Sequence, residues 1–178
     1  MHDYHDAQYY IDMALIYVQP DSSWHDLLRA RYRLLKAYIL VNYGGLYDAE
    51  VLINTSLEIM RKELCEEHRY FVEAHYVYAL LKLYKGDLAG AYDCAYRELQ
   101  IAYNLNMNRI IPHIQELVGE ICFEQEKYQD AYHHLSMELT SNKKNFSSEI
   151  WSWMCDTALE CKIKMKNGNI DNDNKPYY

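Results

Sequence analysis

The 178 residues predict an all-α protein assembled from helical hairpins that stack on one another. Three observations carry that prediction. Apolar residues recur with a period near 3.6 and not 2. Turn and cap chemistry interrupts them at intervals suited to helices of ordinary length. A short pattern also returns every 40 residues or so, the mark of a helical repeat.

Composition narrows the class before any motif is read. Acidic residues outnumber basic ones 26 to 18, a net charge of −8 with histidine neutral. Such a chain is a poor general partner for nucleic-acid phosphates or anionic lipid, so neither nucleic acid nor membrane is expected as a direct partner. Six glycines and three prolines are too few for an all-β or disordered chain. Nineteen tyrosines raise the apolar tally to 50% while the mean hydropathy stays at −0.43. Cys65, Cys94, Cys122, Cys155 and Cys161 form an odd set without a CxxC spacing, which argues for reduced thiols and a cytoplasmic location. Asp3, Asp6 and Asp12 interrupt what would be a signal peptide, and no apolar run reaches the length of a membrane span.

The elements follow in order. Breaks fall at Gln19–Ser22, Gly44-Gly45, Gly86-Asp87, Asn104–Asn108 with Pro112, Glu126-Lys127, and Ser141–Asn145. One further break near Cys65–His68 is required, because a single helix from Leu46 to Tyr84 would be improbably long. Leu27, Leu34, Leu35, Tyr38 and Val41 trace one helix face, with Arg31 as its exception. Val72, His75, Tyr76, Ala79, Leu80 and Leu83 trace another. A last helix from about Phe146 to Lys164 carries Ile150, Trp151, Trp153, Met154 and Leu159 and reads as a cap on the final hairpin. The two tryptophans are two residues apart, so they do not reach the same depth of a core. Residues 166–178, rich in Asn, Lys and Asp, read as a disordered tail behind a 1–165 repeat domain.

Gly45-Leu-Tyr-Asp-Ala-Glu, Gly86-Asp-Leu-Ala-Gly-Ala and Glu126-Lys-Tyr-Gln-Asp-Ala share a turn residue, a bulky residue after it and a small residue beyond that. Tyr4-His-Asp-Ala7 supplies the end of the same pattern. With Tyr4, Tyr47, Leu88 and Tyr128 as the bulky anchors, the spacings are 43, 41 and 40. The small residues Ala7, Ala49, Ala91 and Ala131 would let helix backbones approach where they cross, and the anchors would fill the gap at each turn.

These residues resemble the tetratricopeptide repeat (TPR) family. Leu117-Val-Gly119 followed by Tyr128-Gln-Asp-Ala131 is the most complete match; Leu80, Gly86, Leu88 and Ala91 form a degenerate one, and Leu34, Tyr38, Gly45 and Tyr47 the weakest. Tyr4 through Ala14 to Pro20 looks like the second helix of a repeat, which reads as a fragment of a longer array or a cap. The resemblance covers roughly Tyr4 to Leu139 and departs from the family in its period, which exceeds the usual 34. Longer periods of this kind resemble the helical-repeat parts of bacterial regulators. The resemblance implies a right-handed α-α superhelix of about three and a half hairpins, seven to eight helices, with a concave groove lined by the first helix of each hairpin.

Carried over residue by residue, that groove would present Tyr32, Leu35, Ile39, Asn42 and Tyr43, then Glu73, Tyr76, Leu80, Leu83 and Tyr84, then His113, Glu116, Glu120, Phe123 and Glu124. Asn42, Tyr43, Tyr76, Tyr84, Glu116, Glu120, Phe123 and Glu124 are the residues expected to bind a protein or peptide segment. The surface would be aromatic and acidic, and it lacks the basic clamp that grips a peptide C-terminus in some members. The alternative is a regulatory sensor or homodimerisation domain of a larger signalling protein or transcription regulator. No phosphate-binding glycine loop, nucleophile elbow or zinc spacing appears among the residues, so no enzyme activity, metal or other cofactor is expected. Arg29, Arg33 and Lys36 form a short basic stripe whose plain reading is a solvated face.

Overall fold

The computed structural model describes residues 2–18, 23–65, 68–141 and 146–173. Among them are eight α-helices and no strand: α1 (His2–Tyr17), α2 (Ser23–Asn42), α3 (Leu46–Glu63), α4 (Arg69–Tyr84), α5 (Leu88–Asn104), α6 (Ile111–Glu124), α7 (Tyr128–Ser141) and α8 (Ser148–Asp173). The helices end at the breaks read from the sequence, the unmarked one near Cys65–His68 included. The breaks at Gln19–Ser22 and Asn142–Asn145 lie outside the described residues, as do Pro20 and 174–178 of the expected tail; α8 itself continues to Asp173. The chain divides into two compact units, Met1–Leu105 and Asn106–Tyr178.

Within the first unit α2 packs on α3 and α4 on α5, while α3 and α2 both touch α4 and α1 lies on α2. Within the second unit α6 packs on α7, and α8 lies against both. Three hairpins result, and their turns are built alike. Gly44, Gly86 and Glu126 adopt positive φ, of 90°, 81° and 60°. The N–H after each reaches back to the helix just ended: Gly45 to the Leu40 carbonyl at 2.8 Å, Asp87 to Lys82 at 2.9 Å, Lys127 to Cys122 at 2.9 Å. This is the Schellman closure, and the same three residues then open the next helix. Their carbonyls accept from Ala49 at 3.0 Å, Ala91 at 2.9 Å and Ala131 at 3.0 Å. Left-handed backbone favours glycine, which the first two turns supply and the third does without.

This hydrogen-bond register corrects one anchor. Leu46, Leu88 and Tyr128 each stand first in their helix, three residues before the alanine, and give spacings of 42 and 40. Tyr47 is 77% exposed and fills no gap. The tandem Gly44-Gly45 misled the alignment by one position. The side chain of Tyr4 lies outside the described residues, and Tyr4 stands 42 before Leu46.

In the corrected register the crossings repeat. Ala37, Ala79 and Gly119 occupy one position of the first helices; Ala49, Ala91 and Ala131 occupy one position of the second. All six are fully buried or nearly so. Gly119 marks a close approach, since a Cβ there would lie 2.7 Å from the Leu135 side chain on α7. The core face of α2 is rotated from the expected one: Leu27, Ala30, Leu34, Ala37 and Val41 are buried, whereas Leu35 and Tyr38 are exposed. Trp151 and Trp153 are both half-buried, and Trp153 packs against the Leu135, Met154 and Ala158 cluster.

Gly119→Ala forces Leu135 aside in a packed crossing and is expected to lower stability by about 1–3 kcal/mol. Ser136→Ala, on the half-buried flank of α7, is expected to stay within about 0.5 kcal/mol. Urea unfolding of both variants reads the difference.

Candidate functional site

Two first helices, α2 and α4, lie against each other and share one outer face. The register that equates Leu46 with Leu88 also equates Arg31 with Glu73, Tyr38 with Leu80 and Asn42 with Tyr84. The structure brings the first of these pairs together. The Arg31 guanidinium donates to Glu73 Oε2 at 3.3 Å and lies 4.4 Å above the Tyr70 ring. Tyr38 stacks on Tyr76 with ring centroids 6.3 Å apart. Leu35, Tyr38 and Asn42 are exposed beside them, and Asn42 Nδ2 donates to the Tyr38 carbonyl at 2.7 Å, which holds its amide along the helix. Tyr43 stands exposed in the turn after α2, and Tyr84 exposed at the end of α4. Tyr76 is half-buried.

Leu80 and Leu83 are buried in the core and do not line this face, contrary to the carry-over from the repeat pattern. The one-residue slip at Tyr47 accounts for the emphasis on Tyr32 and Ile39, both half-buried, in place of Arg31 and Tyr38. Arg31 was legible as the charged exception on an apolar face. Tyr70 lies in the first turn of α4, beyond the reach of a groove pattern taken from the helix middle.

The other four expected residues belong to the second unit. Glu116, Glu120 and Glu124 stand four residues apart on α6, and so form one stripe. Phe123 meets the Tyr128 ring edge-on at 5.9 Å, which closes the corner between α6 and α7. His113, on the same helix, meets Phe146 edge-on at 5.3 Å. Burial pushes Glu116 up to about 7, with Glu120 adding to it; burial likewise pushes Glu120 up to about 7, with Glu124 adding to it. Near neutrality this face therefore offers both carboxyl donors and carboxylate acceptors.

Polar groups also sit inside the hairpins. Glu98 of α5, only 2% exposed, pairs through Oε1 with His75 Nδ1 of α4 at 2.8 Å. Its Oε2 is buried with no hydrogen-bond partner. Cys94 lies beside it, and its thiol donates to the His75 carbonyl at 3.5 Å rather than to the ring. Burial raises that thiol to about 11, so the nucleophilic thiolate is scarce at neutral pH. His134 of α7 pairs with the buried Gln115 of α6. Among the described residues no three His, Cys, Asp or Glu side chains gather to hold a metal ion, and the five cysteines are free. Among the same residues no helix is long and apolar enough to cross a membrane.

The basic stripe is not a solvated face. Arg29 donates to the Leu15 and Val18 carbonyls at 3.1 and 2.6 Å, at the end of α1. Lys36 pairs with Asp12 at 2.6 Å. Burial, with Arg29 adjacent, lowers the pKa of Arg33. Arg29 and Lys36 clamp α1 to α2. Spacing alone showed which side chains share a face and not that an adjacent helix end would occupy it.

Neither a protein-family model nor a curated protein sequence matches the chain.

Two predictions follow from these charges. Glu116 and Glu120 ionise less readily folded than unfolded, so the unfolded chain releases their protons first as pH rises. Their contribution is harmless below about pH 4.5 and reduces stability progressively toward pH 7. Glu116→Gln/Glu120→Gln should therefore flatten this part of the pH profile and exceed the parent in stability at pH 8, by urea unfolding. Arg29→Ala removes two charge-assisted bonds and should cost about 1.5–3 kcal/mol, with cleavage in α1 appearing first under limited proteolysis.

Proposed function

We propose that the chain is a TPR-like interaction module of the cytoplasm that binds a protein or peptide segment and performs no catalysis of its own. The observation that carries the reading is the α2–α4 face. It places a stacked tyrosine pair, an exposed leucine and a cation–carboxylate–tyrosine cluster on two neighbouring first helices. Tyrosine gives large contact area with few rotors and a polar tip, the composition of adaptable protein-binding surfaces. Arg31 and Glu73 engage each other at the rim, where Arg31 can also donate to, and Glu73 accept from, a ligand's backbone or side chains.

The repeated turn and crossing register supports the TPR-like reading, and with it a right-handed superhelical course for the stacked hairpins. The free cysteines favour a reducing compartment. The chemistry of the interior also favours binding over catalysis. The half-buried His75 and the buried Glu98 lie beside Cys94, whose thiol burial holds protonated, so that cluster offers little thiolate nucleophile. The α6 stripe, carrying Glu116, Glu120 and Glu124, suits a cationic or amide-rich segment.

Selection from a displayed library of peptides about a dozen residues long would supply ligands whatever the natural partner. Tyr76→Ala/Tyr84→Ala should weaken the selected peptides at least tenfold in a fluorescence titration, about 1.4 kcal/mol or more. The helical signal of the variant should stay intact. Unchanged affinity would remove the α2–α4 face as the binding surface.

A further inference from the structure

The contact between α1 and α2 is mostly polar. Lys36 of α2 meets Asp12 at 2.6 Å, and Arg29, two turns earlier in α2, meets the Leu15 and Val18 carbonyls, so the two helices run antiparallel. Apolar burial adds little. Among the described side chains of α1, Ile11 alone is buried, whereas α3 buries Ala49, Ile53, Leu57 and Met60 along with Ser56. Tyr9, Tyr10, Ile16 and Tyr17 of α1 are exposed. A helix held by a few polar bonds and one aliphatic side chain opens at a lower free energy than the packed hairpins beside it.

α1 covers a row of three cations. Arg29, Arg33 and Lys36 stand at i, i+4 and i+7 on one face of α2. That face lies about half a turn around the helix from Arg31, Leu35 and Tyr38, so it is a different surface from the α2–α4 face. Against the three cations stand two carboxylates, Asp12 and Asp26, and the partial negative charge of the last carbonyls of α1. The match is incomplete at Arg33. This half-buried guanidinium has Asp26 and Arg29 as charged neighbours, and no hydrogen bond to it stands among the described residues. A partly desolvated guanidinium without an acceptor is an unfavourable arrangement that a carboxylate relieves.

We propose that α1 occupies the place of an external ligand: an acidic segment of another protein, with carboxylates along one helix face, docks on Arg29, Arg33 and Lys36 and displaces α1. Such a ligand brings Arg33 the acceptor that α1 does not. It also brings a full charge to Arg29, where α1 offers only carbonyl dipoles. α1 then sets a threshold, because the affinity measured is the intrinsic one reduced by the fraction of molecules in which α1 is released.

Fluorescence anisotropy on the 178-residue chain tests this. The probe is a labelled alanine-based helical peptide with glutamate at i, i+3 and i+7, and its control carries glutamine there. The glutamate peptide should bind and the glutamine peptide should not. Asp12→Lys cuts the tie to Lys36 and should raise the affinity about threefold or more. In that variant hydrogen exchange should quicken in α1 and match the parent in α3–α5, because α1 contributes a single buried side chain. Arg33→Gln removes a cation that holds nothing in the free protein, so α1 should stay in place while the peptide binds about tenfold more weakly. Binding to the parent should itself quicken exchange of the α1 amides and leave those of α3–α5 unchanged. A glutamate peptide that binds neither chain, or binds parent and Asp12→Lys equally, would overturn the proposal. So would an Arg33→Gln chain that binds as the parent does, a glutamine peptide that binds as well, or α1 amides that stay protected in the complex.

Discussion

The closeness of two backbones at each hairpin crossing is the constraint on which the rest of the structure depends. Ala37, Ala79 and Gly119 hold one register position of the first helices and Ala49, Ala91 and Ala131 one of the second; all six are buried, and at Gly119 a Cβ would lie 2.7 Å from the Leu135 side chain. Close approach brings the longer residues of both helices within contact distance on either side, so the dispersion contacts of Ile53, Leu99 and Leu135 depend on it. The turn is coupled to the same geometry. The carbonyl that caps the second helix accepts from the crossing alanine itself, so the bend and the crossing are set by adjoining bonds.

A second regularity lies two turns beyond the crossing alanine of each second helix. Ser56, Glu98 and Glu138 occupy one repeat position, and all three are buried polar residues. Apolar side chains would pack there without needing partners. A polar group must instead find its own mate across the crossing: a carbonyl for Ser56, an imidazole for Glu98. Such a requirement penalises sliding by a residue or pairing with the wrong helix, because the group is then buried unsatisfied. In α1 the position is Ala14, which is half-buried.

Much of this architecture was legible in the sequence. The helical period and the turn residues gave an all-α chain of seven to eight helices, because each is a local signal with a direct backbone cause; the break near Cys65–His68 followed only from the length of helix it would otherwise leave. The anchor at Tyr47 was misplaced because Gly44 and Gly45 offer two candidates for one left-handed residue, and only the hydrogen bonds distinguish them. That one-residue slip turns a helix by about 100°, enough to exchange Arg31 and Tyr38 for Tyr32 and Ile39 on the outer face. The clamp made by Arg29 and Lys36, and the His75–Glu98 pair, were not legible. Each joins residues from different helices, and a lone chain with no aligned relatives gives no pairing information.

Self-contained closure of each turn has an evolutionary consequence. A block of 40 or 42 residues begins and ends at equivalent backbone geometry, with its own cap, crossing and polar mate. Duplicating or excising such a block preserves the backbone geometry of every remaining turn. Length can therefore drift in whole-block steps while the edges stay compatible, whereas an insertion of a few residues within a helix would turn every later contact out of phase.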